Sequence, residues 1–147
     1  MAGSDPNVKS DSHTDAELKQ IYGLKNIAVV GMSKSLEKPS NFVPKYLLEH
    51  GYNIYPVNPT TQEIMGKKAY SSVADIPDDI DIVDIFRKSE DVPGVITDAM
   101  KKPGIKVVWM QEGIYSDEAE NKAKANGMDV VFNRCMMAEH VRLFGQG

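Results

Sequence analysis

The sequence predicts an α/β domain: a doubly wound, mainly parallel sheet of about five strands with helices on both faces. Three observations lead there. Short apolar, β-branched runs recur at 26–30, 53–57, 81–86, 105–110 and 128–132. Amphipathic stretches with clear start and stop residues separate them. The runs are too apolar for strands with a wet face, and strand–helix alternation implies right-handed crossovers between parallel strands.

The elements follow in chain order. Residues 1–13 are polar and rich in Ser and Asp, so a mobile tail is expected there, leaving 14–147 as a single domain. That opening carries no apolar core, so no secretory signal is expected. Thr14 and Glu17 form a capping-box pattern that opens a short helix through Ile21. The first strand, 26–30, ends at Gly31. Asn41 is expected to cap a helix with Phe42, Val43, Tyr46, Leu47 and His50 on one face and Pro44 in its tolerated first turn; Gly51 ends it. After the third strand, Ser89 is expected to cap a helix whose inner stripe is Val92, Val95, Ile96, Ala99 and Met100, stopped by Pro103 and Gly104. Ser116 starts the next helix and Gly127 ends it; a last helix spans about 136–144.

Composition narrows the function. A length of 147 residues fits one domain, and 41% hydrophobic with 26% charged residues is ordinary for a globular chain. A net charge of −4 and a pI of 5.4 argue against a nucleic-acid or membrane-surface binder. No apolar run approaches the ~18–20 residues of a membrane span. The single cysteine, Cys135, has no internal disulfide partner and suits the cytoplasm. The histidines and this cysteine lack metal-ligand spacing, so no metal is expected.

In a doubly wound sheet, ligands sit beyond the carboxyl ends of the strands. Those ends read GMSKS, VNPTTQE, FRKSE, MQEG and NRC. A strand that ends in glycine and runs on to a helix N-terminus offers N–H groups and a positive dipole end to an anion, and here Lys34, Lys38 and three serines join it. The pattern is a phosphate loop. NAD fits it poorly: Gly31 stands without the second and third glycines of GxGxxG, and Asn58 occupies the position of the ribose-binding acid. Coenzyme A fits better. Lys34, Lys38 and Arg87 suit several phosphate oxygens, and a neutral Asn58 does not repel a ribose 3′-phosphate.

The segments VVGMSKSLEKPSN, LLEHGYNIYPVNP, IMGKKAY, DIVDIFRKSEDVP, VVWMQEGI and VVFNRCMMAEH, in that order, resemble the CoA-binding domain family. These are single-domain, Rossmann-like, nucleotide-binding proteins similar to the N-terminal domain of the succinyl-CoA synthetase alpha subunit. The resemblance implies that Gly31, Met32, Ser33 and Lys34 contact the CoA phosphates and that Lys38 and Ser40 extend that contact. It implies that Val57, Asn58 and Pro59 wall the nucleotide, that Phe86 and Arg87 line the cleft, and that Gln111 and Gly113 lie near the pantetheine arm. The synthetase subunit continues into a domain with a phosphorylated histidine. This sequence stops at Gly147 without one, so CoA or acyl-CoA binding without catalysis is the expectation.

Plainer readings stand beside these. The lysines also fit solvated loop charges, Arg87 fits a pair with Glu90 or Asp91, and Asn58 with Pro59 fits a turn. Trp109 and Phe86 suit core packing, while His50 and His140 suit structural roles. Cys135 fits an inert small residue, with a mixed disulfide to the CoA thiol as the alternative. Two rival functions remain: an acyl-CoA thioester hydrolase or transferase using Glu112, Glu139 or His140, and an NAD- or nucleotide-binding regulatory module. Acyl group, protein partner and self-association stay open.

Overall fold

The computed structural model of the chain describes residues 10–145. In order, its elements are α1 (Asp15–Ile21), β1 (Asn26–Val30), α2 (Pro39–Glu49), β2 (Asn53–Val57), β3 (Glu63–Ile64), β4 (Lys67–Lys68), β5 (Ile82–Ile85), α3 (Val92–Ala99), β6 (Val107–Met110), α4 (Asp117–Ala125), β7 (Asp129–Val131) and α5 (Met136–Phe144). Five strands form one parallel sheet in the order β2-β1-β5-β6-β7. Chain order reverses between β1 and β5, which makes the crevice beyond their carboxyl ends the natural ligand position.

The apolar runs become strands because both of their faces are covered. On one face Leu18 and Ile21 of α1, Val43 and Leu47 of α2 and Met136 of α5 pack on Ile27, Val29, Ile82 and Trp109. On the other, Val92 and Ile96 of α3 and Ala119 and Ala123 of α4 pack on Ala28, Val83, Ile85 and Val108. Each fully buried aliphatic side chain contributes on the order of 1.5–3 kcal/mol. The expected doubly wound Rossmann-like sheet is the one observed.

Several boundaries differ from expectation. The Thr14–Glu17 capping box is formed, and Ser116 caps α4 by accepting from the Ala119 N–H. Asn41, however, does not cap α2. That helix starts three residues earlier than expected, at Pro39, with Lys38 as its N-cap and no side-chain cap bond. A proline at the first helical position is preorganised for the helix and gives up no needed N–H, which is the cue that prevails here. Ser89 opens a short 3-10 turn, Ser89–Asp91, and its hydroxyl accepts from the Tyr115 N–H instead. Phe42 (36% exposed) and Met100 (39%) leave the inner faces expected for them. The β3–β4 hairpin was not anticipated: it turns through Met65 and Gly66, both at positive φ, and is too short to show alternation.

Of the stretch expected as a tail, residues 1–9 lie outside the described residues. Asp11 accepts from Arg134 Nε at 2.8 Å, and the His13 ring bridges Asp11 at 2.9 Å and Asp129 at 2.8 Å.

Candidate functional site

A cleft of about 670 Å³ opens at the switch point. Its floor is the turn after β1. Gly31 has φ +83°, a backbone conformation that favours glycine, and a Cβ there would run into the Phe86 carbonyl oxygen. β1 and β5 therefore end close together, and the loop that follows lies directly over the crevice.

The loop is tied down by its own polar groups. Asn58 Nδ2 donates to the Met32 carbonyl at 2.9 Å, while its Oδ1 accepts from the Thr60 N–H at 2.8 Å. Asn41, buried, donates from Nδ2 to the Ser33 carbonyl at 2.7 Å. The Ser33 N–H donates to the Ser40 carbonyl at 3.1 Å. That carbonyl is free for a specific reason: its helical donor would be residue 44, and Pro44, inside α2, has no N–H. The proline frees an acceptor, and the loop takes it.

Of the residues expected at the site, Gly31, Met32, Ser33, Lys34, Lys38, Ser40, Asn58, Pro59, Phe86 and Arg87 line this one cleft. Lys34 and Lys38 have no ion-pair partner among the described residues. Arg87 Nη2 pairs with Asp91 at 3.2 Å, both side chains being largely exposed. Exposed pairs of this kind are worth about 0–1 kcal/mol, so an incoming phosphate can displace the carboxylate. Thr60, Thr61 and Lys88 also line the cleft, and none of them was expected there. The TT of VNPTTQE and the lysine after Arg87 were the available signals.

Two further clefts join the first. Val57 lines one of about 370 Å³ on the α3 side, which shares Gly31, Pro59 and Arg87 with the main cleft. The other, about 650 Å³, lies on the α2 and α5 side and shares Lys38, Ser40, Phe86 and Arg87. Its remaining wall is largely apolar, including Phe42, Val43 and Ile114, with Gln111 and Cys135 at its inner end. Gly113 lines none of the three; its N–H donates to Asn133 Oδ1 at 2.6 Å, joining the β6 and β7 loops. Trp109 is fully buried, as expected of core packing.

Behind Gln111 stands Asp84 of β5, 0% exposed. Gln111 Nε2 donates to Asp84 Oδ1, and Asp84 Oδ2 has no hydrogen-bond partner among the described residues. Burial pushes this carboxyl up to about 7. Burial also pushes the Cys135 thiol up, which keeps it protonated and weakly nucleophilic. An acid inside an apolar strand run, IVDI, is the sequence signal for Asp84.

A family model described as a CoA binding domain matches residues 25–141. The chain belongs to the CoA-binding domain family. Among relatives of this CoA-binding domain, the uncharacterized protein YneT of Bacillus subtilis is 40% identical over 126 residues, covering 85% of this chain and 93% of YneT. The ADP-forming acetate–CoA ligase II of Archaeoglobus fulgidus is 33% identical over 118 residues, covering 79% of this chain and 17% of the ligase. The domain thus spans about a sixth of that ligase's length. Among solved structures, a hypothetical protein from Pyrococcus horikoshii OT3 superimposes with a TM-score of 0.89 at 47% identity, covering 96% of this chain and 100% of that one.

Of Glu112, Glu139 and His140, the last two are engaged elsewhere. Glu139 is held by Arg134 at 2.6 Å and Arg142 at 2.9 Å. His140 is buried, with Nδ1 2.7 Å from the Tyr46 hydroxyl. Glu112 alone of the three lines the apolar cleft. Among the described residues no helix is long and apolar enough to cross a membrane, and no cluster of His, Cys, Asp and Glu suits a metal ion.

Proposed function

We propose that this CoA-binding domain holds coenzyme A or an acyl-CoA in the cytoplasm and carries out no chemistry on it. The 3′-phospho-ADP end lies over the β1 turn, within reach of Lys34, Lys38, Ser40 and Arg87, with Pro59 and the Val57 side walling the nucleotide. The pantetheine arm runs along the apolar cleft towards Gln111 and Cys135. One observation carries this reading: a cleft lined by lysines and hydroxyls at the switch point continues, through shared Lys38, Ser40, Phe86 and Arg87, into a cleft with a mainly apolar wall. That succession of polar and weakly polar surface matches the order of groups along CoA. The family membership and the ligase relatives support the ligand class. Asn58 contributes by fixing the loop from beneath.

Titration calorimetry with CoA and dephospho-CoA tests the proposal. CoA is expected to bind, and dephospho-CoA to bind about tenfold more weakly, the effect of losing one charge-assisted phosphate contact. No heat with CoA at near-millimolar concentration overturns the reading. Equal affinity for the two ligands removes the 3′-phosphate from it. Release of free thiol from acyl-CoAs, expected to be absent, separates binding from hydrolysis.

A further inference from the structure

The Asp84–Gln111 pair has no part in holding phosphates, and it is built unlike the rest of the sheet. Asp84 sits in the central strand in register with Val29 of β1 and Trp109 of β6, fully buried between them. The titratable groups that face it from packed elements are Tyr22 at the end of α1 and Cys135 at the head of α5. Burial holds both neutral, and the Tyr22 hydroxyl donates to the Met136 carbonyl at 2.7 Å, not to Asp84. Glu112, next to Gln111 in the chain, is a further acid whose charge pushes the Cys135 thiol up. The Gln111 amide is therefore the group through which Asp84 reaches the cleft.

An ionised carboxylate only accepts hydrogen bonds, whereas a primary amide donates at nitrogen and accepts at oxygen. With Nε2 turned to Asp84, the Gln111 atom left at the cleft wall is Oε1, which accepts no hydrogen bond among the described residues. We propose that Asp84 sets the polarity of the apolar cleft by holding Gln111 with its carbonyl oxygen outward, so that this subsite selects a ligand group bearing a hydrogen-bond donor, and that proton uptake by Asp84 reverses the preference. This rests on the CoA reading for the identity of the donor, which is an amide N–H of the pantetheine arm. Protonated Asp84 becomes a donor; the amide turns to accept from it, and Nε2 then faces the cleft. Because burial brings the carboxyl to about 7, the reversal falls between pH 6 and 8. Asp84 touches no ligand in this scheme and acts as a positioning residue.

The test uses the full chain and its Asp84→Asn and Gln111→Met variants. Calorimetry is run with CoA and with adenosine 3′,5′-bisphosphate, which lacks the arm, at pH 8 and pH 6. From pH 8 to 6 the parent chain is expected to lose about threefold more CoA affinity than Asp84→Asn, with no such excess for the bisphosphate. Phosphate ionisation is common to both proteins and cancels in that comparison. Gln111→Met is expected to weaken CoA at pH 8, to do so less or not at all at pH 6, and to leave the bisphosphate unchanged at both. In the free parent chain, the Gln111 side-chain amide signals are expected to move with a midpoint near pH 7, and to stay fixed in Asp84→Asn. An equal loss of CoA affinity in both proteins, or an excess loss that extends to the bisphosphate, overturns the inference. So do Gln111 signals that do not titrate. Absence of CoA heat from the parent chain at pH 8 overturns the CoA reading itself, and with it the assignment of the donor; the amide signals then still decide the Asp84–Gln111 coupling.

Discussion

Gly31 carries two constraints at one atom. Its φ of +83° is accessible to L side chains only with strain, and the space for a Cβ is taken by the Phe86 carbonyl. A larger residue must push β1 away from β5 where the crevice needs them close. Gly31→Ala is expected to cost about 2 kcal/mol or more, combining backbone strain with a backbone clash, and to abolish CoA binding. Urea unfolding and calorimetry read the two effects. A variant of parent stability that still binds CoA contradicts the account. The sequence already marked Gly31 as a turn at a strand end, since a glycine after an apolar run needs no tertiary knowledge. Asp84 was harder to see. An acid in IVDI is visible, but its meaning depends on which face of the sheet it shares with Gln111 and on what covers that face.

At the scale of elements, the decisive unit is the loop from Gly31 to Lys38 together with the first turns of α2. Strands 26–30 and 53–57 and the helix 136–144 were legible to the residue because burial on both faces and amphipathic spacing are local patterns. The start of α2 was not. Asn41 and Pro39 offered competing cues, and Asn41 was drawn inward by the Ser33 carbonyl, a partner eight residues away. Pro44 likewise reads as a tolerated helix proline until the Ser33 N–H is seen on the carbonyl it leaves free. Pro44→Ala restores a helical donor that competes for the Ser40 carbonyl. The variant is expected to gain thermal stability and to lose about threefold in CoA affinity as the loop slackens. A melt and a titration on the same sample check this, and an unchanged affinity contradicts the role given to Pro44.

Over the whole molecule, the ionisable groups predict how stability depends on pH. Asp15, through the Arg142 side chain, and Glu17, through the Thr14 backbone, sit below their ordinary ranges. Their contribution is present above the unfolded values near 3.8 and 4.5 and is lost as pH falls through the lowered ones. Asp84 acts in the opposite sense. Burial raises it from 3.8 to about 7, so the folded chain keeps a proton that the unfolded chain has released, and stability falls as pH rises across that window. Burial lowers His13, but its hydrogen bonds to Asp129 and Asp11 outweigh that and raise it above 6.5; its contribution is full below 6.5 and lost as pH climbs through the raised value. Urea midpoints are therefore expected to peak in mildly acid solution and to decline towards pH 8. Asp84→Asn should flatten the decline below about pH 7, and His13→Gln the decline above 6.5. A midpoint that climbs steadily to pH 8 contradicts this. Only the Glu17 part was legible in the sequence, through the Thr14–Glu17 capping box; the rest depends on contacts such as His13 with Asp129, 116 residues apart.

The proposed CoA site spans the switch point, from the loop after β1 to Gln111. A titration of the isotope-labelled chain with CoA, followed in backbone and side-chain amide signals, tests it most directly. Signals from Gly31 to Ser40, from Arg87 and from the Gln111 side chain are expected to move together along one saturating curve, while those of the far end of the sheet, near Asn26 and Asn53, stay still. No movement at near-millimolar CoA, or movement confined to residues outside these clefts, contradicts it.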